Sequence, residues 1–450
     1  MDTAKGPIRI HGRDHYRLGE EAARADGIRA RMLVKLAARM ARRRKPAGRP
    51  WADETLARVE GSARVLGMSG DDLLSAMSVL EPLMVRGCSN FGAMPPATRG
   101  DDVMVSWNFD AFEPMSVLIG RYPLYVREID GLNPYVCFGN PVLFGIGVMN
   151  VKGLCCAVNA VGVLDDGEGM SPFEMNNLAM ENCGRVDEAA AIFEAGPRGV
   201  TKGVSMAMFL NWNTIWADLD GSLAVFEYSH NYFNKQPAGE KGVIASTNHH
   251  QFLDQSKSGN PTPEQLELFR GSYSRLGRMY SLLAQYHGEI DPKVAKLIIS
   301  DHMPDYSLLK GRGVEREWWQ RRVDNATICA HPWNMWRHIL AGEIGEALEE
   351  MTMSATLYSM QMQPRSGIVW FTKGRPCRNA TTPMWFGGML GMECEKPEAI
   401  EPAAGHFAAQ RDERSGIMRD GMNPSEELLE KVWLTATDIE EKGALKKLEG

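Results

Sequence analysis

A cysteine that can become a chain terminus can do chemistry that a core cysteine cannot. In this 450-residue chain the place is Arg86-Gly87-Cys88-Ser89-Asn90-Phe91-Gly92. A thiol attacks well only as the thiolate, so its surroundings or a nearby base must supply the charge. If the peptide bond before Cys88 is cut, the freed α-amine, with a pKa of about 7.7–8, can act as general base near neutral pH. Gly87 leaves room for attack on its own carbonyl. Taken alone, a Gly-Cys pair fits a buried cysteine after a turn glycine better than it fits a nucleophile.

Other chemistries leave weaker traces. There is no Gly-x-x-x-x-Gly-Lys-Ser/Thr and no His-Glu-x-x-His, and Gly387-Gly-Met-Leu-Gly391 comes late, without a convincing strand-turn-helix context. His249-His250 and the His331/His338 pair lack further partners at ligand spacing, so no metal is expected. Eight cysteines without a Cys-x-x-Cys give neither a disulfide framework nor a zinc site. Cys137, Cys155, Cys156, Cys183, Cys329, Cys377 and Cys394 read as small core or surface residues.

Several segments around and after Cys88 then occur in a telling order. They are Gly87-Cys88-Ser89-Asn90-Phe91, Trp107-Asn108-Phe109-Asp110, and Met149-Asn150-Val-Lys-Gly153-Leu154 with Val158-Asn159-Ala160. Beyond them come Trp216-Ala-Asp218-Leu-Asp220-Gly221 with Val225-Phe-Glu227, then Ser246-Thr247-Asn248-His249, then Ser274-Arg275-Leu-Gly-Arg278. In this series, over roughly residues 85 to 285, the chain resembles the acyl-coenzyme A:isopenicillin-N acyltransferase family. Those proteins are self-processing N-terminal-nucleophile enzymes related to the bile-salt (choloylglycine) hydrolases. Each segment is weak alone; the order carries the resemblance.

The resemblance implies a site. Cleavage would fall between Gly87 and Cys88, with Cys88 as nucleophile and its freed amine as base. Asp110 would hold that amine, Asn248 would donate to the oxyanion, and Asn159 would be a second donor or substrate-positioning amide. Arg275 would supply positive charge near the thiolate, with Arg278 as the alternate on much the same helix face. Trp107, Asn108 and Arg278 would meet substrate. Bile-salt hydrolases carry Arg where Trp107 stands, which speaks against a bile-salt substrate. The activity implied is cleavage of a linear amide bond through an acyl-Cys88 intermediate, with hydrolysis favoured over acyl transfer and no cofactor. Two other readings stay open: an unprocessed, non-catalytic binding protein on the same fold, and an intact Cys-His thiol hydrolase with His249 or His250 as base.

Elements must hold these residues. Apolar spacing predicts helices over residues 14–45 and 51–66, and a third towards Leu83 that Asp71 could cap. After Cys88 the pattern changes to short apolar or alternating runs at 103–109, 124–129, 147–149, 154–158 and 224–228. Helices follow at 186–194, 263–285 and 337–351, with later strands at 326–330, 356–362 and 366–373. Clustered strands argue for an antiparallel α+β fold over a doubly wound one. The resemblance makes it an αββα sandwich of two antiparallel sheets between helical layers. If the chain is cut before Cys88, residues 1–87, a helical pro-segment with apolar helix faces to bury, are expected to stay bound as a small α-chain beside 88–450 as the catalytic β-chain, whose charged tail from about residue 397 reads as peripheral.

Composition limits the partners. A net charge of −7 and 24% charged residues give no case for nucleic acid, and the basic run at 42–45 reads as a solvated helix end. No stretch predicts a signal peptide or a membrane span, so a soluble, cytoplasmic protein is expected. The expected partners are a small-molecule amide substrate and the protein's own α-chain; homo-oligomer formation is left open.

Overall fold

The computed structural model describes residues 7–44, 51–84, 87–111, 119–202, 209–253, 263–302, 327–330 and 355–398, with a few isolated positions besides. The described residues open with strand β1 (Ile8–Gly12), followed by three helices, α1 (His15–Arg44), α2 (Asp53–Leu66) and α3 (Gly70–Met84). The expected single helix over 14–45 carries a kink at Asp26, whose buried carboxylate accepts from the Arg121 backbone N–H at 3.1 Å. Helices α1 and α2 cross in close contact because Gly19 and Gly61 have no side chains. A Cβ on either would stand 2.0 Å from a backbone oxygen of the other helix. At the start of α3 the hydroxyl of Ser69 takes the Asp71 N–H at 3.2 Å, so Ser69 fills the capping role expected of Asp71.

The strands form two sheets. The six-stranded sheet runs β12-β2-β3-β13-β14-β15 and is antiparallel throughout. Its members are β2 (Gly87–Ala93), β3 (Met104–Ala111), β12 (Val243–Ser246), β13 (Ala355–Gln363), β14 (Ile368–Lys373) and β15 (Thr382–Trp385). The nine-stranded sheet runs β1-β4-β5-β6-β7-β9-β10-β11, with β8 also paired to β9. Its members after β1 are β4 (Leu124–Ile129), β5 (Tyr135–Asn140), β6 (Phe144–Asn150), β7 (Cys155–Val163), β8 (Thr201–Lys202), β9 (Phe209–Ala217), β10 (Leu223–Tyr228) and β11 (Phe233–Pro237). It is antiparallel except at its edge, where β1 pairs parallel with β4.

The two sheets pack face to face, β2 and β3 against β7 and β9, and β12 against β9 and β10. Helix α4 (Pro172–Asn182) lies on β6, α5 (Val186–Ala195) on β10 and β11, and α1 on β4, forming one outer layer. Helices α6 (Pro263–Gln285) and α7 (Pro292–Ile299) cover β2, β3, β12 and β13 from the other side. A short α8 (Gly387–Leu390) follows β15. The fold is thus α+β, an αββα sandwich. The N-terminal helices bury Leu18, Ala22, Ala30 and Val34 in the same core cluster as Cys88 and Trp107.

Two expectations meet different outcomes. Residues 327–330 are bends and no strand: Cys329 N–H is held by the Asp301 carbonyl, and Ala330 N–H by the Thr356 hydroxyl, which removes the ladder partners a strand would need. The helix at 337–351 and the tail from 397 lie almost wholly outside the described residues.

Candidate active site

Alternation along strands decides which residues meet. On β2, Phe91 and Ala93 join the cluster under α6 and α7, whereas Cys88 belongs to the core between the sheets. Cys88, Asn90 and Gly92 therefore face the nine-stranded sheet, and a Cβ on Gly92 would run into Leu223 of β10. On β3, Trp107 and Phe109 point the same way and form edge-to-face contacts with Phe138 of β5, with centroids 5.5 and 5.2 Å apart. Asn108 and Asp110 point back towards the helical layer.

Cys88 is wholly buried. Burial and the charge of Asp110 push its thiol up to about 12, while the Trp107 indole N–H, the Asp110 backbone N–H and Arg275 act in the thiolate's favour. In the intact chain the thiol is therefore neutral at physiological pH. The Cys88 backbone N–H, the nitrogen that a cut would free, donates to Asn248 Oδ1 at 3.2 Å.

Arg275, reaching in from α6, is the hub. One guanidinium nitrogen donates to the Cys88 carbonyl at 2.6 Å and to Ser89 Oγ at 3.0 Å. The other donates to Asn248 Oδ1 at 2.7 Å. The Asp110 carboxylate lies 3.9 Å from the first and accepts from Thr356 Oγ1 at 2.6 Å. Burial raises the Asp110 carboxyl to about 7, against the pull of Arg275. Cys88, Asp110, Asn248 and Arg275 are thus brought together. Asp110 is turned to Thr356 and Arg275, while Asn248 touches the Cys88 nitrogen.

Asn248 is fixed from several sides. Its Nδ2 donates to the Ala160 carbonyl at 2.8 Å, and its backbone N–H to Ser272 Oγ at 2.7 Å. Below it, Asn213 of β9 donates to the His249 carbonyl at 2.7 Å. Glu227 of β10 accepts from the backbone N–H groups of Gln251, Phe252 and Leu253 at 2.7–2.8 Å. Burial raises the Glu227 carboxyl to about 7. Asn159, Asn213 and Glu227 sit side by side across β7, β9 and β10. Since Asn213 faces the other sheet, Asn159 does too. Asn159 is wholly buried and neither side-chain atom has a hydrogen-bond partner.

The remaining expected residues have other partners. Asn108 spends its amide on the Ile299 and Ile328 carbonyls (2.8 and 2.9 Å) and accepts from Ser359 Oγ (2.7 Å), which fastens β3 to α7 and β13. Arg278 forms a two-bonded pair with Asp301 at 3.0 and 2.8 Å. Neither is turned to the thiol. His249 Nδ1 is engaged by Ser272 and Thr247. Burial lowers His250 to about 4, so it is neutral and a weak base. Sequence reasoning missed Ser89, Asn90, Ser246, Ser272, Thr356, Asn213 and Glu227 as members of this site. Several lie inside the matching segments, and strand alternation around Cys88 is the signal for Asn90.

Residues 98–310 match the family model described as acyl-coenzyme A:6-aminopenicillanic acid acyl-transferase. Over these residues the chain is similar to that family. The match holds Asp110, Asn159, Asn248 and Arg275 and begins after Cys88. No curated protein matches the chain significantly. Among solved structures, a mutant of the conjugated bile acid hydrolase from Clostridium perfringens aligns at 13% identity, over 70% of this chain and 97% of that one, with a TM-score of 0.32. Penicillin V acylase from Agrobacterium tumefaciens aligns at 12% identity, over 64% and 83%, with a TM-score of 0.28. Likeness this low carries no argument about the site. Among the described residues, no helix is long and apolar enough to cross a membrane.

Proposed function

We propose that the protein is a self-processing cysteine amidohydrolase that cuts its own chain between Gly87 and Cys88 and then cleaves a linear amide through an acyl-Cys88 intermediate. The observation that carries this reading is the contact of Asn248 and Arg275 with the two ends of the Cys88 backbone unit. Asn248 Oδ1 lies on the nitrogen to be freed, and Arg275 lies on the following carbonyl.

In the first stage Sγ adds to the Gly87 carbonyl carbon and the Cys88 nitrogen leaves with a proton. Water then cleaves the resulting thioester, releasing the Gly87 carboxylate. In the second stage the free amine takes the thiol proton and Sγ attacks the substrate carbonyl. The proton then passes to the leaving amine, and water takes the acyl group from sulfur. Asn248 Oδ1, an acceptor, orients the amine. Asp110 and Arg275 set the local charge. The unpartnered Asn159 amide is the donor best suited to the oxyanion, a role worth roughly 3 kcal/mol in transition-state stabilisation. Hydrolysis is favoured over acyl transfer because water is always present; a second amine that reaches the acyl-enzyme would make the protein a transferase.

The test is to treat purified protein with a panel of acyl esters and amides and look for acylation of Cys88 by peptide mass. Modification of Cys88 in the wild type, and none in Cys88→Ala, supports the reading. A folded wild type that never acylates would overturn it in favour of a binding protein.

A further inference from the structure

The layer between the two sheets beside Cys88 is more polar than a packed core allows. Ser246, Asn90 and Trp107 lie opposite one another across β12, β2 and β3. By alternation from Ile244 and Cys88, which belong to the inter-sheet core, Ser246 and Asn90 both face the nine-stranded sheet. Asn159 and Asn213 face back from β7 and β9. Ser246 Oγ, both amide atoms of Asn90, both of Asn159 and Asn213 Oδ1 are buried without a hydrogen-bond partner. The two rows belong to strands that pack across the sandwich. A buried polar group left unpaired costs about 1–3 kcal/mol, so six such atoms in one layer are a poor way to build a core and a good way to build a binding site.

We infer that this layer receives a neutral, hydrogen-bonding group on the acyl part of the substrate, such as a hydroxyl or a carboxamide, and not a plain hydrocarbon chain. The inference rests on the reading of Cys88 as the acyl-accepting nucleophile. The acyl part is indicated because it is the portion that stays on Sγ, and Sγ points into this layer. Neutrality follows from what faces it. Arg275 contacts β2 from the helical side of the sheet, and Asp110 points to that same side. Glu227, on the inner face of β10, has its oxygens taken up by three backbone N–H groups. Asparagine side chains offer donor and acceptor together, which matches an amide or hydroxyl and leaves a carboxylate or ammonium uncompensated. Asn90 lies two residues from Cys88, roughly 7 Å along the strand. The group it reads therefore sits about three bonds or more beyond the scissile carbonyl.

Two p-nitrophenyl esters of equal chain length separate the possibilities: hexanoyl and N-acetyl-β-alanyl. Acylation of Cys88 is followed by intact mass for the wild type, Asn90→Leu and Ser246→Ala. The polar ester is expected to react at least about tenfold faster in the wild type. The preference should collapse or invert in Asn90→Leu and weaken in Ser246→Ala, while the thermal midpoints hold or rise because no internal hydrogen bond is lost. A wild type that prefers hexanoyl, or that treats both alike because only water occupies the row, overturns the inference and leaves Cys88 as nucleophile intact. A folded wild type that takes neither ester overturns the underlying reading as well. Should Asn90→Leu fail to fold, the same comparison in Ser246→Ala decides.

Discussion

Cys88 has a thiol that burial keeps protonated in the intact chain. With the thiol at about 12 in the intact chain, the thiolate fraction rises tenfold with each unit of pH below that value. If attack by the thiolate limits processing, the self-cleavage rate should climb about tenfold per unit between pH 7 and 10. A quenched mass time course checks this; a flat profile would move the limiting step elsewhere. Asn159 gives a second residue-level prediction. Because its amide holds nothing in the fold, Asn159→Ala should leave the melting temperature unchanged while lowering kcat/KM by about 10²–10³. A matching fall in stability would mark it as structural. The ordered segments point to Cys88, Asp110, Asn159, Asn248 and Arg275 as candidates, and the fold brings Cys88, Asp110, Asn248 and Arg275 within reach of one another. Asn108 and Arg278 were misplaced because a neighbour in sequence need not share a strand face or a helix partner. Asn108 faces away from Cys88, and Arg278 finds Asp301.

Strands and loops explain why these residues stay in register. The loop carrying Asn248 is gripped from β9 by Asn213, from β10 by Glu227 and from α6 by Ser272. Glu227→Gln keeps the shape but turns one acceptor into a donor that faces backbone N–H groups. It should cost about 1–3 kcal/mol of stability and reduce activity through a displaced Asn248. Urea unfolding beside a substrate assay tests the pair, and loss of stability with full activity would separate Glu227 from the site. The pH dependence has a definite sign. The Glu227 carboxyl is raised to about 7 in the folded protein, so the protonated form is favoured there. Its contribution to stability is complete below the ordinary glutamate range and fades as pH rises through about 7. Glu227→Gln should flatten that part of the profile. Helix ends and most buried strands were readable from periodicity. β2 was not, because Gly-Cys-Ser-Asn-Phe-Gly-Ala has too little apolar alternation to read as a strand. It is one nonetheless because β3 and β12 pair with it on both sides.

At the scale of the whole molecule, the N-terminal segment is built into the sandwich. β1 extends the nine-stranded sheet beside β4, and Glu174 of α4 accepts from both the Ala52 and Ser171 backbone N–H groups, joining α2 to the body. A cut before Cys88 should therefore leave the two pieces together through native gel filtration and separate them only in denaturant. Spontaneous dissociation would contradict the packing of α1 on the sheet. The amphipathic spacing of α1 and α2 foretold that they bury a face, whereas the parallel pairing of β1 with β4 bridges residues too far apart in sequence for any local pattern to reveal. The central claim is that the chain opens itself at Gly87-Cys88. The most direct measurement is the intact mass of freshly purified wild type beside Cys88→Ala. The account predicts fragments of about 10 and about 40 kDa from the 50.0 kDa wild-type chain and a single uncut species from the variant. A wild type that stays whole would deprive Cys88 of its base and contradict the account.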